Sequence, residues 1–153
     1  MTGWVGEDRG RIFAFADEQN SQSEIIKQVQ TLLAGGIKKS DVKQLIALTG
    51  HADQRVRHEA QFELVARGET APLIDLATKG SADGDVLLSR LHGIWALGQL
   101  ARKAGKAVDI DLSNTIQGLL ADSEDEVRAQ AALIAGELGF CLLYTSPSPR
   151  DRG

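Results

Sequence analysis

Apolar residues recur with the period of an α-helix over most of the chain. Between about residues 21 and 139 they return every three or four positions, which places them on one face of a helix. Serine, aspartate or glutamate precedes most of these runs and glycine ends them, as is typical of helix caps. The pattern predicts an all-α fold, with helices over about residues 21–33, 40–50, 53–67, 70–79, 85–103, 111–121 and 124–138.

A short motif begins three of these helices. Residues 56–60 have the sequence Val-Arg-His-Glu-Ala, and residues 127–131 have Val-Arg-Ala-Gln-Ala. Arg90 takes the arginine position in residues 89–98, so the three arginines are 33 and 38 residues apart. Repeats of that length are typical of solenoids, in which helix pairs bury their apolar faces only against neighbouring pairs. We therefore expect an α-solenoid of antiparallel helix pairs over residues 21–140.

Nine residues are expected to hold the repeats together. Three positions after each arginine the residue is small (Ala60, Gly93 and Ala131), which predicts a close approach of paired helices. The arginines either reach an acidic residue of the neighbouring repeat, forming a ladder, or remain solvated. Trp95 has apolar neighbours and is expected in the core. The nine are Asp53, Val56, Arg57, Ala60, Arg90, Trp95, Val127, Arg128 and Ala131.

The two ends of the chain depart from the helical pattern. Residues 1–20 are rich in glycine at the start, and residues 10–15 alternate like a short strand. We expect this segment to be the end of a preceding β domain or a linker. Residues 141–153 contain two prolines within three positions and resemble the translation of a sequencing adapter. We interpret them as a non-native tail, and the alternative is a native proline-rich tail.

Composition narrows the classes of function. The net charge is −4 and the basic residues are scattered among acids, so we expect no nucleic-acid binding. No apolar run reaches the length that spans a bilayer, so we expect no membrane insertion by this segment. Cys141 is the single cysteine, which excludes an internal disulfide and metal motifs built on cysteine pairs.

No catalytic constellation is apparent in the sequence. His51, His58 and His92 form no close ligand pair, and we expect them to be surface or packing residues. Residues 35–40 resemble a phosphate loop but lack its spacing. Residues 83–85 resemble the start of a calcium loop, yet leucines follow where oxygen ligands are needed. We therefore expect no enzyme activity in this chain and no catalytic, cofactor-binding or metal site.

The motif residues resemble a known repeat family. Residues 53–60 follow the pattern D-x-x-V-R-x-x-A, and residues 124–131 follow it with glutamate in the first position. The pattern resembles HEAT repeats over about residues 40–139, particularly the subclass similar to phycobilisome lyases. This resemblance implies a HEAT-like, armadillo-like helical scaffold that binds proteins. The alternative that it implies is a phycobilin-lyase-like module acting on a tetrapyrrole.

A closer resemblance covers nearly the whole chain before residue 141. The residues at 3–4, 10–13, 32–36, 50–57 and 90–100 are similar to large bacterial membrane-bound dehydrogenases that carry a haem-c domain. In that family a β-propeller precedes the HEAT region and a C-x-x-C-H haem domain follows it, and this chain contains neither. The resemblance implies a scaffold fragment of an exported redox protein, located in the periplasm or cell envelope. Its partners would be proteins or neighbouring domains of the same parent, with haem c bound elsewhere in the parent.

Overall fold

The computed structural model describes residues 23–105 and 110–139, and these residues form helices joined by short turns, without a strand. The expectations for residues 1–20 and 141–153, including Cys141, lie outside the described residues. The helices are α1 (Glu24–Thr31), a π-helical turn (Leu32–Gly36), α2 (Ile37–Lys39), α3 (Val42–Leu48), α4 (Gln54–Arg67), α5 (Thr70–Lys79), α6 (Val86–Ala104), α7 (Ile110–Leu119) and α8 (Asp125–Glu137).

The helices begin and end close to the predicted residues, because their caps are encoded locally. The Asp41 carboxylate accepts from the Gln44 backbone N–H at 2.8 Å, and the Gln44 side chain accepts from the Asp41 N–H at 2.9 Å. Asp53 and Asp85 accept backbone N–H groups in the same way at the starts of α4 and α6. Gly68 ends α4 with φ of 75°, a conformation that favours glycine.

The segment after α1 differs from the prediction. Gly35 has φ of 112° and interrupts the helical backbone, which agrees with the predicted end of the first helix before this glycine. The chain nevertheless resumes a helical course at once and forms α2, a single turn that the sequence pattern did not predict. Ile37 in this turn is buried, so packing against the body of the protein stabilises a piece of helix too short to form by itself.

The helices pack as successive pairs. α3 packs on α4, α5 on α6, and α7 on α8. The second helices of these pairs form one layer, because α6 contacts both α4 and α8. Ten of the 19 residues of α6 are buried, including charged and polar ones. A helix that is apolar on several sides is stable only when neighbouring elements pack on those sides. Helices α4, α5 and α8 pack on α6 in this way.

Small residues allow α6 to approach its neighbours closely. A Cβ atom added to Gly93 would lie 2.7 Å from the backbone nitrogen of Ala77 on α5. One added to Gly98 would lie 2.6 Å from Cδ1 of Ile134 on α8. Ala60 and Ala131, at the positions equivalent to Gly93, are completely buried. The interior of the helix layer therefore leaves no room for larger side chains at these positions.

Candidate interaction surface across three helices

A groove crosses the open side of the layer formed by α4, α6 and α8. Its volume is 310 Å³. We call it the three-helix groove, and its lining residues are His58, Gln61, Phe62, Trp95, Gln99, Arg102, Leu133, Ile134 and Glu137. Phe62 is 49% exposed and Leu133 is 55% exposed, although both are large apolar residues. Exposed apolar side chains collected in one groove are typical of surfaces that bind other molecules.

Helical spacing explains why these residues meet. His58 and Phe62 are four residues apart on α4, and Leu133 and Glu137 are four apart on α8. On α6, Trp95 is followed by Gln99 at four residues and by Arg102 at seven. Residues at these intervals lie on one face of a helix, and the side-by-side packing of the three helices places the three faces together.

Trp95 occupies the middle of the groove, and the expectation that it lies in the core is only partly met. Its ring packs against the apolar core but is half-buried. The indole Nε1 donates a hydrogen bond to Oε1 of Gln130 on α8 at 2.9 Å. The His92 ring contacts Trp95 edge-on, with a centroid distance of 5.0 Å. Among the described residues no helix covers this side of α6, so the tryptophan remains partly accessible.

His92 lies directly behind Trp95 and is buried. Its Nδ1 is 2.7 Å from Oε1 of Gln61, and its Nε2 accepts from Nε of Arg57 at 3.3 Å. This pattern requires the neutral ring to carry its proton on Nδ1. Burial lowers the pKa of His92 to about 4, and the nearby Arg57 and His58 contribute to the same shift. His92 is therefore a neutral packing residue near pH 7 that supports the floor of the groove.

Arg57 and Arg128 make equivalent contacts in their two repeats. Nη1 of Arg57 donates to the carbonyl oxygens of His51 and Ala52 at 2.7 and 2.9 Å. Nη1 of Arg128 donates to the carbonyl oxygens of Asp122 and Ser123 at 2.7 and 3.0 Å. Each arginine thus ties down the turn that precedes its own helix, rather than reaching an acid of the neighbouring repeat or remaining solvated.

Arg90 behaves differently and forms the single cross-repeat ion pair of the three. Its Nε donates to the Ala77 carbonyl at 3.1 Å, and its Nη1 donates to the Asp122 carboxylate at 3.1 Å. This bond holds the pKa of Asp122 below its ordinary value. Arg90 follows its N-cap, Asp85, by five residues, whereas Arg57 follows Asp53 by four. One extra residue rotates the side chain by about 100° around the helix.

The groove was not anticipated from the sequence, although a signal existed. Phe62 and Ala66 follow the apolar spacing of α4 that predicts a covered face, yet both are exposed. An apolar residue facing an uncovered side cannot be distinguished from a core residue by periodicity alone. In the described part of the chain no three histidine, cysteine or acidic residues converge to hold a metal ion. No helix among the described residues is long and apolar enough to cross a membrane.

Comparison of the chain with protein-family models, with curated proteins and with solved structures found no match.

Proposed function

We propose that the chain is a HEAT-like α-solenoid scaffold that binds a protein, or a neighbouring domain of the same parent chain, through the three-helix groove. The observation that carries this proposal is the exposure of Phe62 and Leu133 on either side of the half-buried Trp95. Protein interfaces are enriched in tryptophan and phenylalanine, and a few such residues supply most of the binding energy.

The packing of the helices supports the solenoid part of the proposal. Successive pairs place their second helices in one layer, as stacked repeats require. The matching contacts of Arg57 and Arg128 with their preceding turns support the proposal that α3–α4 and α7–α8 are repeats of one unit.

The rim of the groove suits a partner with an apolar centre and polar edges. Nη1 of Arg102 donates to Oε2 of Glu137 at 2.6 Å, which places a positive and a negative charge at one rim of the groove. Gln99 adds an amide that can donate and accept. A partner would bury an aromatic or aliphatic side chain against Trp95 and form its polar contacts at this rim.

The identity of the parent protein rests on the residue resemblance. In the proposed setting, the scaffold joins and orients the catalytic and electron-transfer domains of an exported, membrane-bound dehydrogenase-like protein with haem c in another domain. The chain itself would contribute rigid positioning, because electron transfer between domains depends on their separation and orientation.

Isothermal titration calorimetry tests the proposal once the complete reading frame supplies the flanking domains. The purified chain is titrated with the separately expressed propeller and haem-c domains. We expect binding that Trp95→Ala weakens at least tenfold, about 1.4 kcal/mol. The matched control is Leu87→Ala, an exposed apolar residue at the start of α6 and outside the groove.

Two outcomes of this experiment contradict the proposal. Binding that Trp95→Ala and Leu87→Ala weaken equally would exclude the groove as the interface. A reading frame without these domains, together with binding of a linear tetrapyrrole that Trp95→Ala abolishes, would favour the lyase-like alternative.

A further inference from the structure

The layer of α4, α6 and α8 has two open ends. At the first end, α1 and the start of α4 line a second groove of 520 Å³, with Ile25, Val29 and Leu33 as its apolar wall. At the last end, α8 exposes Ala129, Ala132, Leu133 and Gly136. We call these surfaces the α1 face and the α8 face. Neither is covered by another helix of the described residues.

The α8 face repeats a surface that is occupied elsewhere in the molecule. Gly98 follows Arg90 by eight residues, and Gly136 follows Arg128 by eight. On α6 this glycine receives Ile134, whose side chain fills the space that a Cβ would take. On α8 no described atom lies within 4 Å of the equivalent position. The α8 face therefore corresponds to the face of α6 that packs on α8. Among the described residues it is uncovered, and it can pack against another apolar surface.

The two ends differ in charge. Residues 23–67, which form the first end, contain seven basic and five acidic residues. Residues 110–139, which form the last end, contain one basic and six acidic residues. Two α8 faces would repel each other, whereas an α8 face and an α1 face attract.

Exposed charged and apolar side chains lie together on each face. Arg55 lines the groove of the α1 face and its side chain is 69% exposed. Asp125 lies at the start of α8 with a side chain that is 93% exposed. Ile25 on the α1 face is 51% exposed, and Leu133 on the α8 face is similarly accessible. Arg55 forms an ion pair with Asp53 of the same groove, and Asp125 forms one with Arg128. Each face therefore offers an apolar centre beside an exposed ion pair, and the charge complementarity comes from the net charge of the two ends.

We propose that this chain associates head to tail, with the α8 face of one copy on the α1 face of the next. Leu133 enters the groove beside Ile25 and Leu33, and Asp125 approaches Arg55. Such a contact joins two different surfaces and leaves one of each free, so copies add in an open row. The contact uses neither Trp95 nor Phe62, but it shares Leu133 with the three-helix groove.

Sedimentation velocity of the full chain over a wide concentration range tests the proposal. A reductant is present so that Cys141 forms no disulfide-linked dimer. We expect the average mass to rise at least twofold with concentration at low salt, and to fall toward the monomer at ~1 M salt, where charges are screened. Ile25→Glu and Leu133→Glu should each remain monomeric, whereas the control Leu87→Glu should associate like the parent. Circular dichroism establishes that each variant is folded.

A mixture of the two monomeric variants distinguishes a head-to-tail contact from other modes. Each variant retains one intact face, so an equimolar mixture should form dimers that do not grow further. Association of Ile25→Glu by itself would show pairing through two α8 faces and overturn the proposal. A parent chain that stays monomeric at every concentration would overturn it as well.

Discussion

Helices α6 and α8 begin with equivalent motifs but lie in different surroundings. Ten of the 19 residues of α6 are buried, against four of the 13 residues of α8. Gly98 on α6 is filled by Ile134, while the equivalent Gly136 on α8 borders open space. Similar motifs therefore lie near the starts of both helices, but the number of covered faces depends on which neighbours are present. Four predictions test this difference.

The largest difference is expected for the motif arginines. Arg90→Ala on α6 removes the guanidinium hydrogen bonds to the Asp122 carboxylate and to the Ala77 carbonyl, in a region where both charged side chains are mostly buried. The Asp122 carboxylate then keeps the hydrogen bond that it accepts from the backbone N–H of Glu124. Loss of one partner of a buried pair is strongly destabilising, and we expect about 3 kcal/mol in the free energy of unfolding. Arg128→Ala on α8 removes bonds in a more exposed place and should cost about 1 kcal/mol. Urea denaturation of both variants measures the difference, and equal losses would contradict it.

A second difference between α6 and α8 concerns the protonation of one buried side chain. His92 on α6 has Gln130 as its equivalent on α8, and only the histidine ionises. The pKa of His92 is about 4 in the folded chain and 6.5 without the influence of the fold. The unfolded chain therefore binds more protons between these values. The contribution of His92 to stability is complete above about pH 6.5 and is lost as the pH falls toward 4.

We expect this loss to reach about 3 kcal/mol, since one pKa unit corresponds to about 1.4 kcal/mol. Urea denaturation at pH values from about 4 to about 7 measures the free energy of unfolding of the parent and of His92→Gln. This range covers both pKa values of His92, 6.5 and about 4. The variant should lose this part of the pH dependence, and the control His51→Gln should retain it. A parent and a His92→Gln variant with parallel pH profiles would refute the assignment.

The third prediction compares Gly93 with an unconfined helical glycine. Gly93→Ala places a Cβ against the backbone of α5, which cannot move as a flexible side chain would. Overpacking of this kind typically costs about 1–3 kcal/mol. Gly118→Ala on α7 is the matched control, because no described atom lies within 4 Å of its added Cβ. Thermal denaturation should show a lower midpoint for Gly93→Ala and no decrease for Gly118→Ala.

The smallest effects are expected for the equivalent glycines Gly98 and Gly136. Gly136→Ala adds a methyl group in open space and removes the conformational freedom of glycine in a helix, so it should stabilise the chain by about 0.5–1 kcal/mol. Gly98→Ala gains the same helix propensity but displaces Ile134, and it should be destabilising. Both are measured at low protein concentration, so that self-association does not contribute. Effects of the same sign would show that α6 and α8 differ less in packing than the structure indicates.

The positions of the helices could be predicted from the sequence because their signals are local. Asp41, Asp53 and Asp85 bond backbone groups within three residues, and Gly68 needs only its own φ angle. The one-turn helix α2 was not predictable, because burial of Ile37 against distant residues stabilises it. The candidate groove was also missed, since Phe62 and Leu133 follow the same apolar spacing as core residues.

For the described residues, the sequence by itself determined the helical fold, the residues that begin and end the helices other than α2, and the small positions that follow the motif arginines. Only the tertiary structure decided that Trp95 faces a groove, that His92 is buried behind it, and that Arg90 alone of the three arginines forms an ion pair with the next helix pair. Helix caps and periodicity depend on neighbours a few residues away along the chain. The exposure of Trp95 and the long-range partners of Arg57 and Arg90 depend on residues more than about 30 positions away along the chain. The local sequence pattern does not encode how those residues are arranged in space.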